Sequence, residues 1–246
     1  MALTDPELEQ IVGELLDGFY RRRIQKLDGL QLKDALKRKN PYLFRAVGFQ
    51  KASDIVEALL QAYMSSSDEG IFGDAFFEPL AQRVSGGAVG GAEGVDVMLE
   101  DERRHLAVAI KSGPAVFNAQ SKRRQDQEFK ALRSRLLKTQ KQFDALVGYC
   151  YGRKVAAPSG DRIFREASGQ VLWQELTGDP DFYVRILRVM QDRPLRHKVD
   201  FDQAWAAAVN RFTAAFIQEF CHADGSINWE ALLSFNSGAR FKNKDT

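Results

Sequence analysis

Cysteine and histidine are scarce in this chain of 246 residues, which contains two cysteines and three histidines. Cys150 and Cys221 lie far apart in the sequence, so a disulfide framework is not expected. The histidines do not follow the spacing of a zinc site. We therefore expect two buried thiols in a reducing environment.

Long apolar runs and a leader-like start are also lacking. No stretch approaches the roughly 18–20 apolar residues that cross a bilayer. The first ten residues are acidic and have neither the basic nor the apolar segment of a secretory signal. We therefore expect a cytoplasmic protein without a membrane partner. The 35 basic and 33 acidic residues nearly cancel, so the distribution of charge is more informative than its sum.

Helical periodicity dominates both ends of the chain, with apolar residues recurring every three or four positions. We expect an N-terminal helical region over residues 1–66 and a C-terminal one over residues 156–246, both packed with the middle of the chain as one globular unit. A loop is expected at residues 37–42, where Pro41 disfavours helical backbone at Asn40. The individual helices are expected over residues 6–19, 30–37, 52–64, 169–176, 181–191 and 201–220.

The middle of the chain, residues 67–155, changes period. The polar cluster 65–68 suggests a helix start, followed by a helix to about Val84. Five glycines in residues 85–94 exclude a helix interior. Short apolar runs then predict a pair of strands, and a long helix and a third strand follow. This succession predicts an α/β fold with a mixed sheet. The strands are expected over residues 95–99, 106–110 and 145–151, and the long helix over residues 120–143.

Two charged residues stand at the ends of the predicted strand pair. Asp96 lies at the start of the first strand, and Lys111 closes the second. An antiparallel pair of this length brings both side chains to one edge of the sheet. A carboxylate that holds Mg²⁺ beside a lysine that stabilises developing charge is what phosphodiester cleavage needs. The same spacing also occurs in sheets without catalytic function, so other features have to decide.

The helix predicted after Lys111 is strongly basic. Residues 120–141 contain eight basic side chains and two acidic ones, Asp126 and Glu128. Such a surface suits the phosphate backbone of DNA, although solvated charge is the usual role of such a run. Further basic clusters at residues 21–23 and 37–39 favour the same partner. The predicted DNA-binding residues are Lys122, Arg123, Arg124, Lys130, Arg133, Arg135 and Lys138.

This order of elements resembles the PD-(D/E)XK nuclease core, and several motifs resemble the PmeII-type family of type II restriction endonucleases. Together they cover roughly residues 50–190. The motifs are SDEGIFG at 67–73 with Glu78 following, IKSGP at 110–114, YCYG at 149–152, GQVLW at 169–173 and LTGD at 176–179 with Phe182 and Tyr183.

The resemblance implies a restriction-endonuclease-like α/β core, a mixed sheet flanked by helices, with helical additions at both ends. It also implies Mg²⁺-dependent, site-specific cleavage of double-stranded DNA by a homodimer, leaving a 5′-phosphate. Asp96 and Lys111 take the positions of a metal ligand and the catalytic lysine.

One position departs from the family pattern. An acid is expected two residues before the lysine, but Ala109 stands there. Glu78 is our first choice for the second carboxylate and metal ligand, and the alternatives are Glu69, Asp126 and Glu128. The same departure also fits a non-catalytic DNA-binding protein on a nuclease scaffold, and a DNA-repair or junction nuclease is a third reading.

Overall fold

The computed structural model describes residues 3–37, 39–89, 91–115 and 117–238. Its helices are α1 (Asp5–Asp28), α2 (Leu32–Leu36), α3 (Pro41–Ala46), α4 (Ala52–Phe72), α5 (Glu78–Val84), α6 (Ala119–Leu136), α7 (Gln170–Thr177), α8 (Phe182–Met190), α9 (Arg193–Phe220) and α10 (Trp229–Ser237). Its strands are β1 (Ala88–Val89), β2 (Val97–Glu100), β3 (Arg104–Lys111), β4 (Gln142–Tyr149), β5 (Val155–Ala156) and β6 (Phe164–Ser168). A π-helical segment, Gly73–Phe77, joins α4 to α5.

The chain forms two compact units. One contains residues 1–20 and 69–196, and the other contains residues 21–68 and 197–246. These units are divided after residues 20, 68 and 196, whereas the sequence suggested boundaries near residues 66 and 155. The reason is that the long helices α1, α4 and α9 each contribute residues to both.

The sheet lies in the first unit and has the strand order β1-β2-β3-β4-β6-β5. The pairs β1/β2, β2/β3 and β5/β6 are antiparallel, whereas β3/β4 and β4/β6 are parallel. Helix α6 makes the crossover between the parallel strands β3 and β4. The predicted α/β fold with a mixed sheet flanked by helices is therefore confirmed.

Helices cover both faces of this sheet. On one face, apolar residues of α1, α5, α7 and α8 pack against Val108, Ile110 and Leu146. On the other face, Phe129 and Leu132 of α6 pack against small and branched side chains that include Ala109 and Val147. Because β3 is buried on both faces, it is a nearly continuous apolar run, as is usual in parallel sheets.

The second unit is helical and has its own core. Leu59 and Leu60 of α4 pack there with Phe212 and Phe216 of α9 and with Leu232 of α10. The aromatic residues of α9 are buried at three- and four-residue spacing, so they form a packing stripe.

Several helix boundaries differ from those predicted; α1 continues to Asp28, for example, and α9 begins at Arg193. Residues 65–68 do not start a helix but lie inside α4, where Ser65 and Ser66 are on its exposed face and Asp68 pairs with Arg23 at 2.8 Å. In the loop expected at residues 37–42, Asn40 is extended as predicted. Its side chain accepts bonds from the amides of Tyr42 and Leu43, however, and so caps α3. Arg38 lies outside the described residues.

The long basic helix also ends earlier than predicted. After Leu136 a 3₁₀ turn follows, and Gln140 adopts a left-handed conformation with φ 59°, which ends the helix. Lys141 and Phe143 therefore lie outside α6, and Phe143 belongs to β4. Strand β6 and helix α10 were not predicted, and β6 adds a strand to the region expected to be helical from residue 156. Its charged residues Arg165 and Glu166 obscure the strand pattern in the sequence.

Within the described ranges, no helix combines the length and the apolar character that a bilayer crossing requires.

Phe129 provides a test of the α6 face of the sheet. Its side chain is fully buried, so Phe129→Ala is expected to lower the free energy of unfolding by about 3–5 kcal/mol in urea denaturation. Leu137→Ala is the matched control, because Leu137 is 66% exposed and its truncation should change stability by less than about 0.5 kcal/mol. Equal stability of the two variants would contradict this packing.

Candidate active site

Asp96 and Lys111 lie together at one edge of the sheet. Asp96 directly precedes β2 and Lys111 is the last residue of β3. The two strands are antiparallel neighbours, which brings the beginning of one to the end of the other. Lys111 Nζ is 4.0 Å from Asp96 Oδ2. The predicted proximity of the two side chains is confirmed.

The Asp96 carboxylate is held by the backbone of β3. The Ile110 amide donates to Asp96 Oδ2 at 2.6 Å, and the Asp96 amide donates to the Val108 carbonyl at 2.9 Å. The amide group of Gln82, on α5, donates to the Asp96 carbonyl at 3.2 Å. The carboxylate is thus oriented by the fold itself, which lowers the entropic cost of binding a ligand there.

Glu78 is the further acid that the structure brings to this pair. Burial raises the pKa of Glu78, and the nearby carboxylates of Asp96 and Asp74 raise it further. Lys111 acts in the opposite direction and lowers the pKa. Asp74 was not predicted to belong to this site. Its position four residues before Glu78 could have indicated this, because residues at that spacing are neighbours on one face of a helix. The site therefore concentrates negative charge around one lysine.

The π-helical segment before Glu78 sits close to the end of β3. A Cβ atom on Gly73 would lie 2.9 Å from Ser112 Oγ, so only glycine allows this approach without a shift. Ser112 Oγ donates to the Glu69 carbonyl at 3.1 Å and links β3 to α4. Segments of π-helix are frequent at functional sites. Here the segment leads directly into Glu78.

The alternative acids have other partners. Glu69 Oε1 accepts a hydrogen bond from the Tyr151 hydroxyl at 2.7 Å. Asp126 accepts the Ile163 amide at 2.9 Å and pairs with Lys130 at 2.6 Å. Glu128 pairs with Arg124 at 2.8 Å. Each of these carboxylates thus has a structural role in fixing a turn, a loop or a helix.

Ala109 occupies the position where the family pattern has an acid. Its side chain is fully buried and belongs to the apolar cluster beneath α6, together with Val147 and Phe129. A carboxylate at this position would need desolvation beside these apolar groups. Glu78, in contrast, is on helix α5.

The donor set at this edge suits a hard cation. Asp96 and Glu78 offer carboxylate oxygens, the ligands that Mg²⁺ prefers, and Mg²⁺ often uses only one or two protein carboxylates. Among the described residues, no group of three or more histidine, cysteine, aspartate and glutamate side chains is arranged to hold a metal ion. The repulsion that raises the pKa of Glu78 is what a bound cation would relieve.

The basic residues of α6 divide into two kinds. Lys122 pairs with Glu166, Arg124 with Glu93 and Glu128, and Lys130 with Asp126. The other members of the predicted DNA-binding set are exposed and have no ion pair within the part of the chain that the structure describes; they are Arg123, Arg133, Arg135 and Lys138.

The two ends of α6 lie at opposite edges of the sheet. Lys122, in its first turn, reaches Glu166 at the edge where β3 and β4 end. Thr139, just beyond its last turn, contacts His105 at the start of β3. At about 1.5 Å per residue, the 18 residues of α6 span about 27 Å. Lys122 and Arg123 are thus on the Lys111 side, whereas Arg133, Arg135 and Lys138 are on the far side.

Comparison with known families gives one finding. The sequence model of the family described as type II restriction endonuclease EcoO109I matches residues 6–198. No curated protein matches the chain. The matched range includes the whole sheet, Asp96, Lys111 and Glu78.

The raised pKa of Glu78 has a consequence for stability. A carboxyl whose pKa is higher in the folded than in the unfolded state contributes stability at low pH, and this stability is lost as the pH rises through the raised value. At pH 8 we therefore expect Glu78→Gln to raise the free energy of unfolding, by an amount on the order of 1 kcal/mol.

Glu57→Gln is the control for this comparison, because Glu57 is exposed on α4. It should change stability by less than about 0.5 kcal/mol. Urea denaturation of the three proteins between pH 4 and pH 8 makes the test. A Glu78→Gln variant that is less stable than the wild type at pH 8 would show that ionised Glu78 does not destabilise the folded protein.

Proposed function

The chain belongs to the type II restriction endonuclease EcoO109I family, and we propose that it is a Mg²⁺-dependent enzyme that cuts double-stranded DNA at a specific sequence. The observation that carries this proposal is the 4.0 Å contact between Lys111 and Asp96 at the sheet edge, with Glu78 beside it. The narrower likeness to the PmeII-type family rests on the sequence motifs and stays a prediction.

We assign three side chains to the reaction. Asp96 and Glu78 would hold the metal ion, and Lys111 would place its ammonium group against the phosphate that is cut. When bound, Mg²⁺ supplies Lewis-acid polarisation of that phosphate. The ammonium group stabilises the negative charge that develops on the phosphate oxygens and orients the attacking water. The partial burial of this edge strengthens both interactions.

We further propose that the protein acts as a homodimer. Each chain carries one Asp96–Lys111 site, and a duplex has two strands to cut, so a pair of identical chains provides one site per strand. DNA contacts are proposed for the basic residues of α6 and for Lys138 in the turn that follows it. Within the described part of the chain, the members without an ion pair are Arg123, Arg133, Arg135 and Lys138. Lys122, Arg124 and Lys130 would have to share their charge with the acids that they already contact.

A second function is favoured by one observation, the alanine at position 109. If no acid replaces the missing one, the protein binds DNA and does not cut it. Incubation of plasmid DNA with the protein and Mg²⁺, compared with EDTA, separates the two functions. Discrete fragments support the restriction enzyme, intact DNA supports the binding protein, and nicks at branched structures would indicate a junction nuclease.

Substitutions at Asp96 and Lys111 test the assigned site. Asp96→Ala and Lys111→Ala are each expected to reduce Mg²⁺-dependent cleavage by about 10³-fold, because each removes a group that stabilises the transition state. Duplex binding measured without divalent cations should remain within a few-fold of the wild type. Asp54→Ala, at an exposed position in the other unit, is the control and should cut normally. Unimpaired cutting by Asp96→Ala would rule out the assigned site.

Substitutions in α6 and the turn that follows it test the proposed DNA contacts. Replacing Arg124, Arg135 and Lys138 together with Gln keeps helix propensity nearly unchanged. If these residues contact the backbone, DNA binding weakens and its salt dependence falls by about one unit of slope per lost contact, while the cut site is unchanged. Titrations at two salt concentrations measure both quantities. Identical slopes for the triple variant and the wild type would show that these charges are only solvated.

A further inference from the structure

Glu166 is a buried carboxylate surrounded by positive charge. Its side chain is 2% exposed. Its oxygens are 2.8 Å from Lys154 Nζ, 3.1 Å from Lys122 Nζ and 3.3 Å from Arg162 Nη1. The Tyr149 hydroxyl donates to Glu166 Oε1 at 2.6 Å. We refer to these five residues as the Glu166 cluster.

The Glu166 cluster is not electrically balanced. Three cations and one carboxylate leave a formal charge of +2. Another network in the sheet shows the contrast. Arg104 and Arg165 pair there with Asp144 and Glu175, two cations with two anions. That network is formally neutral, whereas the Glu166 cluster is not.

The electrostatics of the cluster agree with an excess of positive charge. The pKa of Lys122 is lowered, and the largest cause is its contact with the side chain of Lys154. Burial alone would raise the pKa of Glu166, but hydrogen bonds from Lys154, Tyr149 and Lys122 outweigh it and lower the pKa to about 2. Glu166 therefore stays ionised at neutral pH and neutralises only one of the three cations.

The cluster lies at the same edge of the sheet as Lys111. In the parallel register, Lys111 pairs with Tyr149, and Ala109 pairs with Val147, which pairs with Glu166. Two strand spacings of about 4.8 Å separate Glu166 from Ala109, roughly 10 Å in all. The side chains of Lys154 and Lys122 are 33% and 25% exposed, so both are partly open to solvent.

From this charge excess, exposure and position we propose that Lys122, Lys154 and Arg162 form a binding site for a second backbone phosphate of the DNA, away from the phosphate that is cut. The proposal rests on the proposed function for the identity of the nucleic acid. Ammonium and guanidinium groups are the usual partners of phosphate oxygens. Tyr149 and the three cations contact Glu166, whose negative charge offsets part of the attraction between the cations and a phosphate.

The proposal predicts opposite effects for two single substitutions. Lys154→Gln removes a contact, so duplex affinity should fall about tenfold at 0.1 M salt and the slope of log affinity against log salt should decrease by about 0.9. Lys122→Gln should behave alike. Glu166→Gln raises the charge of the cluster by one, so it should bind DNA more tightly and with a steeper slope, even though its Tm is lower.

The experiment is a titration of a fluorescent duplex with the full chain in EDTA, at three salt concentrations, with the folded fraction checked by circular dichroism. Because EDTA prevents cleavage, the result does not depend on whether the protein cuts DNA. Lys33→Gln is the matched control, since Lys33 pairs with Glu219 at 2.8 Å in the other unit; it should bind like the wild type. A parallel arm follows the Tm in inorganic phosphate, which should rise for the wild type and less for Lys154→Gln.

Unchanged affinity and slope for folded Lys154→Gln and Lys122→Gln would overturn the proposal. So would weaker binding of folded Glu166→Gln, because a merely structural network loses function when either partner is removed. A phosphate-dependent Tm that differs between variants with identical DNA affinity would also overturn it, since the site would then take free phosphate. If Glu166→Gln does not fold, the two lysine variants decide.

Discussion

The hydrogen bond from the Ile110 amide to the Asp96 carboxylate is the contact on which the site depends. It fixes the Asp96 carboxylate, just before β2, against the end of strand β3. Lys111 Nζ therefore lies 4.0 Å from Asp96 Oδ2. The same edge receives the end of α4 and the start of α5 because Gly73 allows close contact with Ser112. A backbone amide, and not another side chain, therefore orients the carboxylate around which the other groups assemble.

Packing disfavours an acid at position 109. Ala109 lies beneath α6 within an apolar cluster, where an ionised carboxylate would lose its hydration. Glu78 approaches from the other side, from the first residue of α5, and is crowded by Asp96 and Asp74. Burial, and then repulsion from these two carboxylates, raises the pKa of Glu78. The ionised form is therefore a cost to the fold that a bound cation would offset, as is common where function and stability compete.

The sequence alone predicted the strand pair, the crossover helix and the edge shared by Asp96 and Lys111, because alternating and helical apolar patterns are local signals. Strand β6 was missed because Arg165 and Glu166 are polar residues satisfied by ion pairs from distant elements. The Glu166 cluster was missed for a similar reason, because its members Lys122, Tyr149, Lys154, Arg162 and Glu166 come together only in the folded chain. The end of α6 was missed because it depends on one left-handed residue, Gln140, which pattern does not reveal.

The central claim is that Glu78 replaces the acid missing at position 109. The most direct test compares Mg²⁺-dependent cleavage of plasmid DNA by Glu78→Gln, Glu69→Gln and Glu128→Gln, each confirmed to be folded. We expect that Glu78→Gln alone loses about 10³-fold in rate, while the other two variants cut within a few-fold of the wild type. Normal cleavage by Glu78→Gln, with loss of activity in Glu69→Gln or Glu128→Gln, would contradict it.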